Sequence, residues 1–192
     1  MPIKLIVGLR NPGAAYAKTR HNAGAWFVEA VAEQYNLSFS NEKKLQGECT
    51  QLIIDNNTCT LLLPTTFMNH AGLPVSLICQ YFQINTKDIL IAHDELDLPA
   101  GCSRLKQGGG HGGHNGLRDV IKHLGVADFN RLRIGIGHPG QKELVINYVL
   151  GKPSIQDKER IMMSINSSVD VLPNLLKGEM ALAMNKLHSN VL

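Results

Sequence analysis

Short apolar runs alternate with segments of helical periodicity along the first 140 residues of the chain. Two of these runs, residues 3–9 and 89–93, are nearly continuous, which is typical of strands buried on both faces. Two others flank the turn sequence Asp55-Asn56-Asn57-Thr58 and predict a hairpin. The predicted strands are residues 3–9, 49–54, 59–63, 89–93, 103–106 and 132–136.

Between these strands, apolar residues recur every three or four positions, as on one face of a helix. One such segment follows Asn22, which is suited to cap it, a second begins near Asn69, and a third follows Asn115. The last fifty residues carry the same period, and Pro173 is expected to break it at about Leu172. The alternation predicts an α/β fold: a single-domain mixed β-sheet flanked by α-helices, with a helical C-terminal segment.

Composition narrows the class of protein. With 192 residues, of which 44% are hydrophobic and 18% charged, we expect one globular domain over residues 1–192. No apolar stretch is long enough to span a bilayer and no signal peptide is recognisable, so we expect a cytoplasmic protein without membrane contact. Four widely spaced cysteines form no Cys-x-x-Cys pair, which argues against a zinc ribbon. The net charge of +3 permits an anionic partner without identifying one.

The chain contains one unusual segment, in which six glycines fall within residues 108–116. Glycine allows a backbone to approach a ligand closely, at an entropic cost. His111, His114 and Asn115 are the polar residues left in this segment, and a helical pattern follows at once. This layout is typical of a binding or catalytic site. It also satisfies Gly-x-Gly-x-x-Gly, but the acid twenty residues on, Asp128, precedes its strand rather than ending one, which argues against a nucleotide cofactor.

Polar residues stand at the carboxyl ends of predicted strands or at the helix starts that follow them, where α/β proteins bind ligands. Each asparagine among them could equally form a turn or cap a helix. Their convergence favours a site. The clusters are Asn11 with Tyr16 and His21, Phe67 with Asn69, His93 with Asp94, and His114 with Asn115.

His21 and Asp94 form a candidate catalytic pair. Histidine titrates near neutrality and can act as a general base, and a carboxylate can bind one ring nitrogen and leave the other free. The chain has no Gly-x-Ser-x-Gly nucleophile motif, which points to water as the nucleophile. Two alternatives stay open: a metal-dependent hydrolase that uses the other histidines and acids, and an RNA-binding module without chemistry.

Several motifs, in order and over about residues 3–188, resemble those of the bacterial peptidyl-tRNA hydrolase family. They are Gly8-Leu9-Arg10-Asn11-Pro12-Gly13, Thr19-Arg20-His21-Asn22-Ala23-Gly24, Thr66-Phe67-Met68-Asn69, His93-Asp94-Glu95-Leu96-Asp97, residues 108–116, residues 131–140 and Val149-Leu150-Gly151-Lys152-Pro153. The resemblance implies hydrolysis of the ester between a peptide and the 3′-terminal ribose of tRNA, which frees both. It implies no metal and no cofactor.

The resemblance also implies residue roles. His21 would act as the base that activates water, and Asp94 would orient and stabilise His21. The peptide and the acceptor end of tRNA would contact Asn11, Asn69, Asn115, Tyr16 and Phe67, and Asn11 would help to select N-blocked substrates. Lys106 and Arg133 would bind tRNA phosphates. Apart from the resemblance, His114 is a candidate for supporting the site because it adjoins Asn115. We expect a monomer whose partner is peptidyl-tRNA, through its acceptor stem and peptide.

Two segments lie outside these motifs, residues 141–148 and the tail after Leu187. Glycine and proline at residues 137–140 suggest a hinge, from which we hypothesise that residues 141–148 form a lid over the peptide channel. The tail after Leu187 is the part least like the family, and its role stays open.

Overall fold

The computed structural model describes residues 1–189 and contains one seven-stranded mixed sheet. The strands are β1 (Leu5–Gly8), β2 (Ser40–Glu42), β3 (Gly47–Ile54), β4 (Asn57–Pro64), β5 (Ile89–Glu95), β6 (Ser103–Gln107) and β7 (Asn130–Gly135). Their order is β2-β3-β4-β1-β5-β7-β6. The four central strands, β4, β1, β5 and β7, run parallel, whereas β2, β3 and β6 pair antiparallel with their neighbours.

Helices cover both faces of this sheet. They are α1 (Ala23–Gln34), α2 (Gly72–Phe82), α3 (Asn115–Leu124), α4 (Val145–Val149), α5 (Ile155–Val169), α6 (Leu172–Leu176) and α7 (Met180–Ser189). The predicted fold, a mixed sheet flanked by helices with a helical C-terminal segment, is confirmed. Within residues 1–189, no helix has both the length and the apolar character that a membrane span requires.

The core lies on both sides of the sheet, because neighbouring strand residues point to opposite faces. Ile6 and Leu90 belong to a cluster that packs against α1, α5, α6 and α7. Leu5 and Ile89 face the other way and pack with α2 and α3. This double burial explains why the runs that predict β1 and β5 are almost continuously apolar.

The structure differs from the sequence predictions at several element ends. Asn22 does not cap α1 through its side chain, which binds the backbone of Asn11 instead. The helix start predicted near Asn69 is a 3-10 turn, Met68–His70, after which α2 begins. The break in the C-terminal helical segment comes after Val169, the last residue of α5. Pro173 lies in the first turn of α6, where a backbone N–H has no intrahelical acceptor and its absence costs no hydrogen bond. The edge strand β2 and the short helix α4 were not predicted.

Helix α1 lies unusually close to the parallel strands at their carboxyl ends. A Cβ atom on Gly24 would be 2.2 Å from the carbonyl oxygen of Ala92 in β5, and one on Gly8 would be 2.7 Å from the carbonyl oxygen of Gly24. Only glycine permits this backbone contact. It places the start of α1, with His21 just before it, directly beside the end of β5.

We therefore predict that Gly24→Ala destabilises the protein, although alanine is the better helix former. The added methyl group would collide with backbone, which cannot rotate away, so we expect a loss of about 3 kcal/mol in the free energy of unfolding. Urea unfolding measures it. Glu33→Ala, at an exposed position of the same helix, is the control and should stay within about 0.5 kcal/mol of the wild type. A stable Gly24→Ala protein would contradict the close contact.

Candidate active site

Polar side chains from three neighbouring strands meet at the carboxyl edge of the parallel sheet. Asn11 follows β1, Asn69 follows β4, and Asp94 lies at the end of β5. His21 joins them from the 3-10 turn Arg20–Asn22 that leads into α1. They line a cleft of about 900 Å³, together with His114 and Asn115 from the start of α3.

The Asp94 carboxylate is the centre of this site. It is 4% exposed and lies between two imidazole rings. His21 Nδ1 is 2.9 Å from Asp94 Oδ1 and 3.0 Å from Oδ2, and His114 Nε2 is 2.8 Å from Oδ1. Because an ionised carboxylate only accepts hydrogen bonds, both of these ring nitrogens carry a proton.

These contacts define the tautomers of both rings. His21 donates from Nδ1, so in its neutral form its Nε2 carries a free lone pair. His114 donates from Nε2, and its Nδ1 accepts the Leu117 N–H at 3.3 Å, capping α3. The cap is thus His114 rather than Asn115, which is the first residue of the helix. His21 is left with one unprotonated ring nitrogen, as a base requires.

The pKa values follow from burial and charge. Burial by itself would raise the pKa of Asp94, but the charges of His21 and His114 and their hydrogen bonds hold it well below its usual range. Burial opposes protonation of His21, yet the adjacent Asp94 carboxylate outweighs this effect and raises the pKa of His21 above its ordinary value of 6.5. Asp94 therefore stays ionised and stabilises the imidazolium form of His21.

A third histidine, His93, forms a hydrogen bond with the backbone of Asp94. His93 is 2% exposed, and its Nδ1 donates to the carbonyl oxygen of Asp94 at 2.7 Å. Its ring lies 5.1 Å from that of His114. Burial, and secondarily the charge of His114, lowers the pKa of His93 to about 3, so the ring is neutral at physiological pH.

Asn11 is held on three sides. Its backbone N–H and carbonyl both bind the Asn22 amide at 2.9 Å, and its Oδ1 accepts the Met68 N–H at 2.8 Å. The Asn11 Nδ2 group is therefore the part of the side chain left for a ligand, and it can only donate. The Met68 contact also connects the β1 loop to the turn that carries Asn69.

The other predicted contact residues lie around the cleft. Asn69 and Asn115 are exposed on its lining, and Asn115 Oδ1 accepts from Arg118 at 2.9 Å. Tyr16 and Phe67 pack edge to face, with ring centroids 6.0 Å apart, outside the residues that line the cleft. The structure thus pairs the two aromatic side chains with each other and leaves Phe67 52% exposed.

Basic residues lie on the sheet face beneath the glycine loop, residues 108–114. The register of β6 and β7 puts Lys106 opposite Arg131 and Arg104 opposite Arg133. Like charges directly opposite each other on a sheet destabilise it. Among the residues described, one carboxylate pairs with this strip: Glu95 Oε2 accepts from Arg133 Nε at 2.8 Å. The face therefore carries an excess of positive charge.

Residues 141–148 lie along the rim of the cleft, where Val145 and Ile146 line it and Ile146 is 70% exposed. The C-terminal end of this segment is fastened. The Tyr148 hydroxyl donates to the Ile136 carbonyl at 2.6 Å, and the Arg20 guanidinium lies 4.0 Å from the Tyr148 ring centroid. The segment has the place expected of a lid, and its movement stays a prediction.

The same side chains could also bind a metal ion. One ligand atom from each of His21, Asp94 and His114 lies within 4.8 Å of the others. Two imidazoles and a carboxylate are ligands that Zn²⁺ accepts. An ion at this position would replace the two N–H···O hydrogen bonds, and it would occupy the nitrogen through which Asp94 orients His21.

An α/β fold whose cleft contains a carboxylate-oriented histidine is compatible with a hydrolytic enzyme. The family model for peptidyl-tRNA hydrolase matches residues 5–191. The chain belongs to the peptidyl-tRNA hydrolase family, and the resemblance of its motifs is confirmed.

Relatives cover almost the whole chain. A peptidyl-tRNA hydrolase of Legionella pneumophila strain Lens is 55% identical over 189 residues, which are 98% of this chain and 100% of the relative. One of Coxiella burnetii strain CbuG_Q212 is 51% identical over 187 residues, 97% of this chain and 98% of the relative. A crystal structure of peptidyl-tRNA hydrolase from Acinetobacter baumannii has a TM-score of 0.94 at 48% identity, covering 96% of this chain and 94% of that one.

Sequence reasoning missed two residues that shape the site, Asn22 and Arg131. Asn22 is predicted only as a helix cap, and the prediction of His93 beside Asp94 does not include its contact with the Asp94 carbonyl. Arg131 is assigned no role, although its spacing from Arg133 puts both on one strand face. That two-residue spacing in the sequence could have indicated that Arg131 lies on the same face as Arg133.

The geometry of the His21–Asp94 pair predicts the effect of Asp94→Asn on titration. In the wild type the pKa of His21 should exceed 6.5, because the carboxylate outweighs burial. In Asp94→Asn the burial remains without the charge, so the pKa should fall below 6.5. NMR titration of the His21 ring protons measures both values. Asp170→Asn, which removes an exposed carboxylate on α5's C-terminal side, is the control, and equal His21 values in Asp94→Asn and wild type would refute the assignment.

Proposed function

We propose that this protein hydrolyses the ester bond between peptide and tRNA with His21 as the general base and Asp94 as the residue that orients it. The observation that carries the proposal is the buried Asp94 carboxylate, which accepts a hydrogen bond from His21 Nδ1 and so leaves Nε2 of this cleft-lining histidine unprotonated. Family membership supplies the reaction, and this contact supplies a means of performing it.

In the proposed reaction, His21 Nε2 takes a proton from water while the water oxygen attacks the ester carbonyl carbon. The imidazolium that forms is stabilised by Asp94. When the tetrahedral intermediate collapses, the same proton passes to the departing ribose oxygen. The products are tRNA and the peptide acid, which then loses its proton to solvent to give the carboxylate, and neither a metal ion nor a covalent enzyme intermediate takes part.

The asparagines supply polar contacts for the substrate. Since Asn11 Oδ1 is already bound to Met68 N–H, the Asn11 Nδ2 group donates to a carbonyl of the peptide or to the developing oxyanion. Asn69 and Asn115 bind the remaining polar groups of the acceptor end, with His114 positioning Asn115 through the start of α3. Tyr16 and Phe67 contact substrate where it leaves the cleft.

The excess positive charge near the cleft binds the tRNA backbone. Lys106 and Arg133 contact phosphates, and Glu95 holds Arg133 through Nε, which leaves the two terminal nitrogens of the guanidinium for a phosphate. Phosphate contacts position a nucleic acid without reading its sequence, so one enzyme can serve many tRNAs. We also propose that the protein acts as a cytoplasmic monomer formed by one domain.

The first test is release of N-acetyl-amino acid from N-acetyl-aminoacyl-tRNA in EDTA, with unblocked aminoacyl-tRNA assayed in parallel. We expect fast cleavage of the blocked substrate alone. His21→Ala should lose about 10² to 10⁴-fold in kcat, the contribution typical of a general base, and Asp94→Asn should lose less because its amide can still accept one hydrogen bond.

His123→Ala, a histidine on α3 away from the cleft lining, is the matched control and should keep wild-type activity. Unimpaired rates for both His21→Ala and Asp94→Asn would refute the mechanism. Binding of tRNA without any cleavage would favour an RNA-binding module, and activity abolished by EDTA and restored by a transition metal would favour metal-dependent hydrolysis.

A second prediction concerns the phosphate contacts. Lys106→Ala and Arg133→Ala should each raise KM for N-acetyl-aminoacyl-tRNA while kcat changes little. Each should also lower the slope of log KM against log salt concentration by about one, because one phosphate contact is lost. Lys87→Ala, at an exposed lysine before β5, is the control. A slope equal to that of the wild type in both variants would place the phosphates elsewhere.

A further inference from the structure

The glycine loop, residues 108–114, has to cross the sheet face to reach the active site. Strand β6 is antiparallel to β7, so its last residue, Gln107, pairs with Asn130 at the start of β7. Asp94, which His114 must reach, pairs with Ile134. Four strand residues separate these two levels, a distance of about 13 Å. The loop therefore begins at the amino end of the parallel strands and runs back to their carboxyl end, where Asp94 lies.

Few contacts guide the loop along this path. At its start the Gly108 N–H donates to the Phe129 carbonyl at 3.0 Å, and at its end His114 binds Asp94. Gly112 and Gly113 are exposed, have positive φ angles, and have no atom within 4 Å of where a Cβ would be. A segment so rich in glycine has many competing conformations, so its path requires an anchor between the two ends.

Arg131 supplies that contact. Its Nη1 donates to the Gly110 carbonyl and its Nη2 to the Gly109 carbonyl. A guanidinium presents its donors in a rigid planar fork, so one side chain can fix two successive carbonyl groups. Lys106 lies on the same stretch of backbone, since a Cβ on Gly109 would be 3.1 Å from Lys106 Nζ and 3.7 Å from Arg131 Nη1.

The surroundings of Arg131 are unusual for a charged group. The residue is 3% exposed, and its guanidinium carbon lies 4.8 Å from the Phe129 ring centroid. Within residues 1–189, no carboxylate oxygen lies within 4.0 Å of its nitrogens, and its Nε has no hydrogen-bond partner. A buried cation without a direct ion pair is costly, and the loop carbonyls offset this cost together with the longer-range attraction of the Glu95 carboxylate.

We propose that Arg131 is a positioning residue of the enzyme: by binding the Gly109 and Gly110 carbonyls, it sets the path of the glycine loop and so the places of His114 and Asn115 at the active site. Arg131 also lines the cleft, but in this proposal it acts through the loop carbonyls and not on the reacting atoms. The kinetic part of this inference rests on the proposed function, whereas the structural part does not.

The test uses Arg131→Lys and Arg131→Gln. An ammonium group keeps the charge but cannot bind both carbonyls in a fixed plane, and an amide loses the charge as well. Amide hydrogen exchange is followed at Gly108 and His114, with the amides of β5 as an internal reference. Steady-state rates are measured on N-acetyl-aminoacyl-tRNA at several salt concentrations. Arg160→Gln, at an exposed arginine of α5, is the control and should match the wild type.

We expect the Gly108 and His114 amides to exchange at least tenfold faster in both variants, with β5 unchanged. A displacement of catalytic groups by about 1 Å can cost about 10²-fold in rate, so kcat should fall by about that factor while the salt slope of KM stays at the wild-type value. If Arg131→Gln does not fold, Arg131→Lys decides, because lysine keeps the charge and N–H donors while losing the planar fork.

Two results would overturn the proposal. A raised KM with unchanged kcat, and a salt slope reduced by about one, would mean that Arg131 contacts a phosphate itself. Loop exchange and kcat both equal to the wild type would mean that the loop holds its path without Arg131. If the wild-type protein failed to cleave the substrate, the proposed function would fall, and hydrogen exchange alone would then decide the role of Arg131.

Discussion

The ionised carboxylate of Asp94, buried at the end of β5, is the interaction on which the site depends. A negative charge in this position is tolerated because two imidazole N–H groups bind it, at 2.8 and 2.9 Å. The same two bonds define the tautomers of His21 and His114 and connect α1 and α3 to the sheet. The geometry of the site and the local folding thus depend on the same two hydrogen bonds, and a change at Asp94 affects both.

Close backbone contact is the second constraint. Gly24 lets α1 lie directly on Ala92, two residues before Asp94, and Gly116 lets the start of α3 lie against Met68, whose Sδ would be 2.5 Å from an added Cβ. These two contacts bring His21 and His114 to opposite sides of one carboxylate. A side chain at Gly24 would push α1 away from the backbone of β5, whereas the nearest neighbours of Gly116, Met68 Sδ and Leu9 Cδ1, end flexible side chains.

The face of the sheet beneath the glycine loop carries charge rather than core. Arg131 and Arg133 alternate along β7 with the apolar residues Leu132 and Ile134, which pack on the opposite face. One strand therefore contributes to the hydrophobic core on one side and to the positively charged surface on the other. The Arg131 guanidinium binds carbonyl groups of the glycine loop. The Arg133 guanidinium, which Glu95 orients, is proposed to bind a tRNA phosphate.

Periodicity and local motifs in the sequence determined the mixed sheet, its flanking helices, the glycine loop and the family, because each is encoded in neighbouring residues. The tertiary structure alone decided which groups bind one another. Asn22 could be a cap by its position, yet it binds Asn11, eleven residues away. His114 binds Asp94, and Arg131 binds a loop twenty-one residues before it, because strand order and the antiparallel direction of β6 bring them together. No local pattern encodes strand order or direction, which depend on how whole elements pack.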